Sequence, residues 1–188
     1  MVASEWAHRV DKVIGIDASP DQIDRAKRIT APTSTVETSF LHAYSKNLPF
    51  EDNSVDCIYT VEALQHFESP LAFVEGSARC LKPGGRLVVS TFLAERALTP
   101  KEHDEIASQV RTVAIGIDKL VPVDQLEGMM RDAGLCVRRR SALGHRVWGA
   151  FAAWCAQVQP SHAWPAVWKR AYMAGLVDYF VIVADKLP

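Results

Sequence analysis

The sequence is short of net charge: 21 Lys and Arg stand against 22 Asp and Glu, a formal balance of −1 over 188 residues. A near-neutral surface has no field to gather a phosphate polymer or an anionic membrane, so neither nucleic acid nor a lipid surface is expected as a partner. The one basic run, Arg138, Arg139 and Arg140, is short. In an extended segment its members point to opposite faces, which predicts a solvated strand. Cysteines are few and scattered. Cys57, Cys80, Cys136 and Cys155 form no C-x-x-C pair, so neither a zinc site nor a disulfide framework is suggested, and the thiols are read as buried and reduced. His103, His145 and His162 are equally dispersed and carry no ligand spacing, so no metal site is expected. No apolar run nears the roughly 20 residues that span a bilayer, and the first nine residues lack a signal-peptide core. A cytoplasmic chain is the expectation. There is no internal repeat and no low-complexity linker, and a hydrophobic content of 48% suffices for one core. The expectation is a single domain over residues 1–188.

What is present is an alternation. Short runs rich in Val and Ile, at 12–17, 36–41, 55–61 and 86–92, alternate with helical-length segments at 21–29 and 71–81. That is the signature of β-α units on a largely parallel sheet, hence an α/β class. Ser19 before Pro20, with Asp21 and Asp24 close behind, suits an N-cap, a proline at the first helical position and acids at the positive helix end. Ser69 and Pro70 open the next helix in the same way, with Leu71, Val74, Ala78 and Leu81 on one face. Lys82, Pro83, Gly84 and Gly85 stop it and turn the chain into a strand. Residues 94–121 read as polar and helical with no strand. A helix is predicted over 123–133, ended by Gly134, then a strand over 135–146. A tryptophan-dense stretch over 148–168 precedes a last apolar strand at 178–184.

Two strings carry more than a fold class. Leu48-Pro49-Phe50-Glu51-Asp52-Asn53-Ser54-Val55-Asp56 resembles the L-P-F-x-D-x-S-F-D run of class I S-adenosylmethionine-dependent methyltransferases that act on small molecules. Leu81-Lys82-Pro83-Gly84-Gly85-Arg86-Leu87 resembles their L-K-P-G-G-x-L turn. Val13 to Pro20, with Asp17 ending the run, resembles their second strand. The resemblance covers nearly the whole chain, best from Val13 to Thr91 and only loosely over 94–168. It implies a Rossmann-like sheet, mostly parallel with an antiparallel last strand, in which 94–133 and 146–175 cap the substrate. The family's first strand and G-x-G-x-G loop are expected about 20 residues before such an acid, and residues 1–12 have room only for the tail of the following helix. The sheet is therefore expected to be N-terminally incomplete. Its unpaired edges would be completed by an upstream segment, by a second copy exchanging strands, or by a rearranged sheet, and the 188 residues alone are expected to methylate poorly.

The resemblance also implies roles. Asp17, with Ala18, would hold the ribose of S-adenosylmethionine, since two carboxylate oxygens match two vicinal hydroxyls; read without the family, Asp17 is equally a loop acid that caps a helix. Tyr44 and Ser45 stand where the family often has an Asp-Ala pair that reaches adenine, so adenine contacts must differ in detail. Thr60 and Val61 close a strand at the carboxyl end, where ligands sit in open α/β sheets, and all six residues would line one crevice. Methyl transfer from a sulfonium needs orientation and, for some acceptors, a base, but no metal. Glu62 and His66 follow the strand and would share one face if the segment turned helical. His66 is the candidate base because it titrates near neutrality. Its alternative is a positioning residue packed on the cofactor, and for Glu62 a helix N-terminal acid or a contact to the cofactor's amino-acid moiety. The tryptophans could cover an apolar acceptor, though core packing accounts for most of them.

The reading is thus methyl transfer from S-adenosylmethionine to a carbon, oxygen or nitrogen of a small, partly apolar acceptor. A non-catalytic methyltransferase-like fragment or subunit that needs a partner is the alternative. A nicotinamide-dependent Rossmann enzyme shares only Asp17 and the strand alternation.

Overall fold

The computed structural model describes residues 10–30, 36–110, 120–158 and 164–188; the expectations for residues 1–9, 111–119 and His162 lie outside them. Contacts divide the chain into two units, Met1–Pro49 and Phe50–Pro188.

The first unit is a β-α-β element: β1 (Lys12–Asp17), α1 (Pro20–Ile29) and β2 (Glu37–His42). The strands run parallel, in register from Lys12 opposite Glu37 to Asp17 opposite His42. The capping chemistry read from the sequence is present. Ser19 Oγ accepts a bond from the Gln22 backbone N–H at 3.4 Å, Pro20 starts the helix, Asp21 lies in its first turn, and Lys27 and Arg28 lie in its last. Each end thus carries the charge that opposes the helix dipole.

The second unit is built on β3 (Val55–Val61), α2 (Pro70–Cys80), β4 (Leu81–Ala94), α3 (Pro100–Val110), α4 (Val123–Asp132), β5 (Leu135–Ala142), α5 (Gly144–Val158), α6 (Trp164–Met173) and β6 (Val177–Lys186). Its four-stranded sheet has the order β3-β4-β6-β5. β3 and β4 are parallel, and β6 is antiparallel to both neighbours. The last strand is therefore antiparallel, as the resemblance implied. Among the described residues β1 pairs only with β2 and β3 only with β4, so one edge of each strand carries no neighbour.

Two elements differ from the sequence reading. The Lys82-Pro83-Gly84-Gly85 segment lies within β4 rather than before it: the register passes from Val55 opposite Leu81 directly to Cys57 opposite Arg86, so the four residues bulge out against Asp56. Pro83 has no N–H for the ladder, and Gly84 takes a φ of 79°, which a side chain would strain. The second difference is at β5, which stops at Ala142, with α5 starting at Gly144 inside the expected strand. The cause is distant in sequence. Asp178 of β6, buried, accepts the Gly144 N–H at 2.6 Å and starts the helix there, and its carboxylate leaves no space for a Cβ at Gly144.

One buried cluster of this unit gathers Phe92, Ile106, Trp148, Val167, Trp168, Ala171 and Val177. Trp148 and Trp168 stack with centroids 6.0 Å apart, and Phe92 lies 4.4 Å from Trp168. These rings are packing residues; Trp154 is exposed. The arginines of β5 are partnered on both sides of the strand. Arg138 meets Asp185 at 3.2 Å, Arg139 donates to Ser141 at 2.8 Å, and Arg140 meets Asp124 at 2.7 Å. No helix among the described residues is long and apolar enough to cross a membrane.

The start of α3 makes a pH prediction. Thr99 and Glu102 form a reciprocal capping box: the Thr99 N–H donates to Glu102 Oε2 at 2.9 Å, and the Glu102 N–H donates to Thr99 Oγ1 at 3.3 Å. Arg96 adds a two-pronged bond to the same carboxylate. The Arg96 guanidinium, then the Thr99 donors, hold Glu102 down at about 2. A lowered native pKa gives stability that is complete above the ordinary glutamate range and is lost as pH falls through the native value. Glu102→Gln should therefore remove a helix-start contribution that is full at neutral pH and mostly lost near pH 2. Circular dichroism melts of both proteins at the two pH values check this; equal differences at both would contradict it.

Candidate active site

In the second unit the candidate residues meet at the carboxyl end of β3. Thr60 is buried and Val61 half-buried, opposite Val89 and Ser90 of β4. The ladder continues one residue further, with the Glu62 N–H donating to Ser90 O at 2.9 Å. There the backbone turns sharply: Glu62 has a φ of 51°, the left-handed region that a non-glycine residue seldom occupies. Such strain persists only where surrounding contacts over-determine it, and it concentrates at functional sites.

That geometry corrects one premise of the sequence reading. The segment after β3 is not a helix that places Glu62 and His66 on one face. Glu62 is left-handed, Ala63 is not helical, and only Leu64–His66 forms a single 3₁₀ turn. His66 is exposed on that turn. Gln65, beside it, is buried.

The contacts that fix residue 62 come from both faces of β4, since successive residues point opposite ways. Thr91 Oγ1 donates to Gln65 Oε1 at 2.7 Å, and Gln65 Nε2 donates to the Glu62 carbonyl at 2.8 Å. On the other face Ser90 Oγ lies 3.1 Å from Tyr179 Oη, and the Tyr179 hydroxyl acts on the Glu62 carboxyl, favouring its charged form. Glu62 is exposed as a residue, yet the protein around its carboxyl raises its pKa, with the bond from Tyr179 acting the other way. Tyr179 is pushed up to about 12, chiefly by burial, against the bond with Ser90 and with the charge of Glu62 adding to the rise. Tyr179, Ser90, Gln65 and Thr91 were not singled out from the sequence. Tyr179 is 117 residues from Glu62, and nothing in the spacing connects them.

In the first unit Asp17 and Ala18 are exposed at the carboxyl end of β1. Asp17 Oδ1 accepts the Ser19 N–H at 2.8 Å, so the loop-acid reading holds for one oxygen. A carboxylate has about four acceptor positions on two oxygens, so this bond leaves capacity for a diol. His42, opposite Asp17 at the end of β2, places Nε2 3.0 Å from Ala18 O and pins the loop. Its ring meets Tyr44 edge-on at 5.6 Å, and Tyr44 is left 54% exposed, a free aromatic face; Ser45 is half-buried. His42 was missed because a single histidine at a strand end carries no spacing signal. Asp17, Ala18, Tyr44 and Ser45 lie on one unit, and Thr60, Val61, Glu62 and His66 on the other.

Residues 1–89 match a family described as "Methyltransferase domain". The chain is 33% identical over 124 residues to the 27-O-demethylrifamycin SV methyltransferase of Amycolatopsis mediterranei, covering 65% of this chain and 45% of that protein. It is 34% identical over 98 residues to the chloroplastic tocopherol O-methyltransferase of Arabidopsis thaliana, covering 48% and 28%. Among solved structures it superposes with a TM-score of 0.81 and 18% identity on the geranyl diphosphate C-methyltransferase of Streptomyces coelicolor A3(2), solved with S-adenosyl-L-homocysteine, covering 99% of this chain and 69% of that one. Over residues 1–89 the chain is thus similar to methyltransferase domains, and its fold is that of the solved methyltransferase structure. It spans less than half the length of these two curated relatives. The candidate residues of each unit lie at or just after the carboxyl ends of its strands, where an open α/β sheet places its ligands. Among the described residues no group of three or more His, Cys, Asp or Glu is placed to hold a metal.

Proposed function

We propose that the protein transfers a methyl group from S-adenosylmethionine to a carbon, oxygen or nitrogen of a small, partly apolar acceptor. The observation that carries this is the exposed Asp17 at the carboxyl end of β1, with acceptor capacity beyond its bond to Ser19, in a chain whose first 89 residues match a methyltransferase domain. Asp17 and Ala18 serve the ribose, and the Tyr44 face and the Ser45 hydroxyl serve the adenine. On the second unit Thr60 and Val61 are the cofactor candidates, and Glu62 and His66 the acceptor candidates. The relatives named above are a rifamycin and a tocopherol methyltransferase, which supports a small organic acceptor here. Segments 94–133 and 146–175 act as its cover. When bound, the sulfonium supplies the electrophilic methyl; the chain supplies orientation and a place for the proton.

The test is transfer of label from methyl-tritiated S-adenosylmethionine to an alkyl hydroquinone and to 27-O-demethylrifamycin SV by the intact protein. Label in the organic product supports the reading. S-adenosylmethionine that neither binds nor donates to any acceptor tried would count against it.

A further inference from the structure

Residue 62 is held more firmly than a loop residue needs. Its N–H is bound by Ser90 O and its carbonyl by Gln65, and its carboxyl feels the Tyr179 hydroxyl, which itself lies 3.1 Å from Ser90 Oγ. Tyr179 stands opposite Phe92 on the neighbouring strand, and Ser90 is its diagonal neighbour, within reach of a long aromatic side chain. A phenol has one proton and an ionised carboxylate has none, so where Tyr179 gives its proton to Glu62 the Ser90 hydroxyl is the donor to Tyr179 Oη. The result is a two-step relay that ends on a carboxylate at the carboxyl end of β3. His66, by contrast, is exposed on the 3₁₀ turn.

Resting on the methyl-transfer reading, we infer that Glu62 is the base for the acceptor and that Tyr179, anchored by Ser90, is the residue that positions it. The acceptor's X–H proton passes to a Glu62 oxygen as the X–CH3 bond forms and the S–CH3 bond breaks. The bonding pair of the latter stays on sulfur, leaving a neutral thioether, and the proton then passes to water. Tyr179 keeps its own proton throughout: a hydroxyl pushed up to about 12 does not ionise in the working range, so it steadies the charge without competing for the role. Tyr179 packs edge-on to Trp148 at 6.4 Å, at the border of the aromatic core, which puts an apolar wall beside the polar relay. Such a border suits an acceptor that is hydroxylated at one end and apolar elsewhere.

The titratable groups acting on this relay are Tyr179 on Glu62, and Glu62 and Tyr59 on Tyr179. Removing the Tyr179 donor leaves the carboxylate less stabilised, so the Glu62 pKa in Tyr179→Phe should lie above that of the wild type. Carbon-13 NMR of glutamate-labelled protein, with Glu62→Gln to assign the signal, reads this directly and needs no acceptor. In the hydroquinone assay Glu62→Gln should lose about a hundredfold or more in kcat, the scale of a missing general base. Tyr179→Phe should move the rising acid limb of the pH profile to higher pH, with affinity for S-adenosylmethionine unchanged. An unshifted Glu62 signal and an unmoved profile in Tyr179→Phe, or a hundredfold loss in His66→Ala with Glu62→Gln active, would overturn the inference alone. A wild-type protein that binds no S-adenosylmethionine overturns the methyl-transfer reading and this inference with it.

Discussion

Trp168→Ala should lower the unfolding free energy by about 3 to 5 kcal/mol, the usual cost of removing a large aromatic ring from a packed core. Trp168 is 1% exposed and touches both Phe92 of β4 and Trp148 of α5, so its loss leaves a void between the helical layer and the sheet. Stacked and tilted rings add about 0.5 to 1.5 kcal/mol beyond area burial, which places the expected effect toward the upper part of the range. The comparison variant is Trp154→Ala. Trp154 is 58% exposed, and surface substitutions of this kind change stability by roughly 0.5 kcal/mol or less. Urea denaturation of both decides whether the tryptophan-dense stretch is core or acceptor cover. If Trp154→Ala cost as much as Trp168→Ala, the division between buried and exposed rings drawn here would be wrong.

Asp17→Ala should weaken binding of S-adenosylmethionine by about 1.5 to 3 kcal/mol, or roughly tenfold to a hundredfold, because hydrogen bonds to a charged group are lost. The substitution also removes the acceptor of the Ser19 N–H at the start of α1. Asp17→Asn separates the two effects. Its amide oxygen can still receive Ser19, but it replaces a bidentate charged acceptor with a neutral group, so the loop should hold while affinity falls. Calorimetric titration of the three proteins checks this. Full affinity in a folded Asp17→Ala protein would return Asp17 to a capping role.

Where local rules govern, the sequence was legible. Ser19-Pro20 and Ser69-Pro70 start helices where their chemistry requires, and the strand alternation of 12–17 and 55–61 appears with the same bounds. The L-P-F and L-K-P-G-G strings led to the family that residues 1–89 match. What was not legible depends on partners far along the chain. Gly144 begins a helix because Asp178 waits on β6, 34 residues later. Glu62 looked like the first residue of a helix, but the ladder to Ser90 and the clamp from Gln65 hold it left-handed instead. Tyr179 and His42 gave no signal because a hydroxyl or an imidazole becomes a site residue only through what the fold sets against it. For Lys82 to Gly85 the residues were correctly seen as breaking regular structure, yet a proline and a left-handed glycine fit a bulge inside a strand as well as a turn before one.

The central claim is that the exposed acid at the end of β1 serves the ribose of a sulfonium cofactor and not that of a dinucleotide. Isothermal titration of the intact protein with S-adenosylmethionine and, separately, with NAD tests it most directly. The account predicts saturable binding of S-adenosylmethionine, weakened in Asp17→Ala, and no heat from NAD beyond dilution. Saturable binding of NAD with none of S-adenosylmethionine would contradict it.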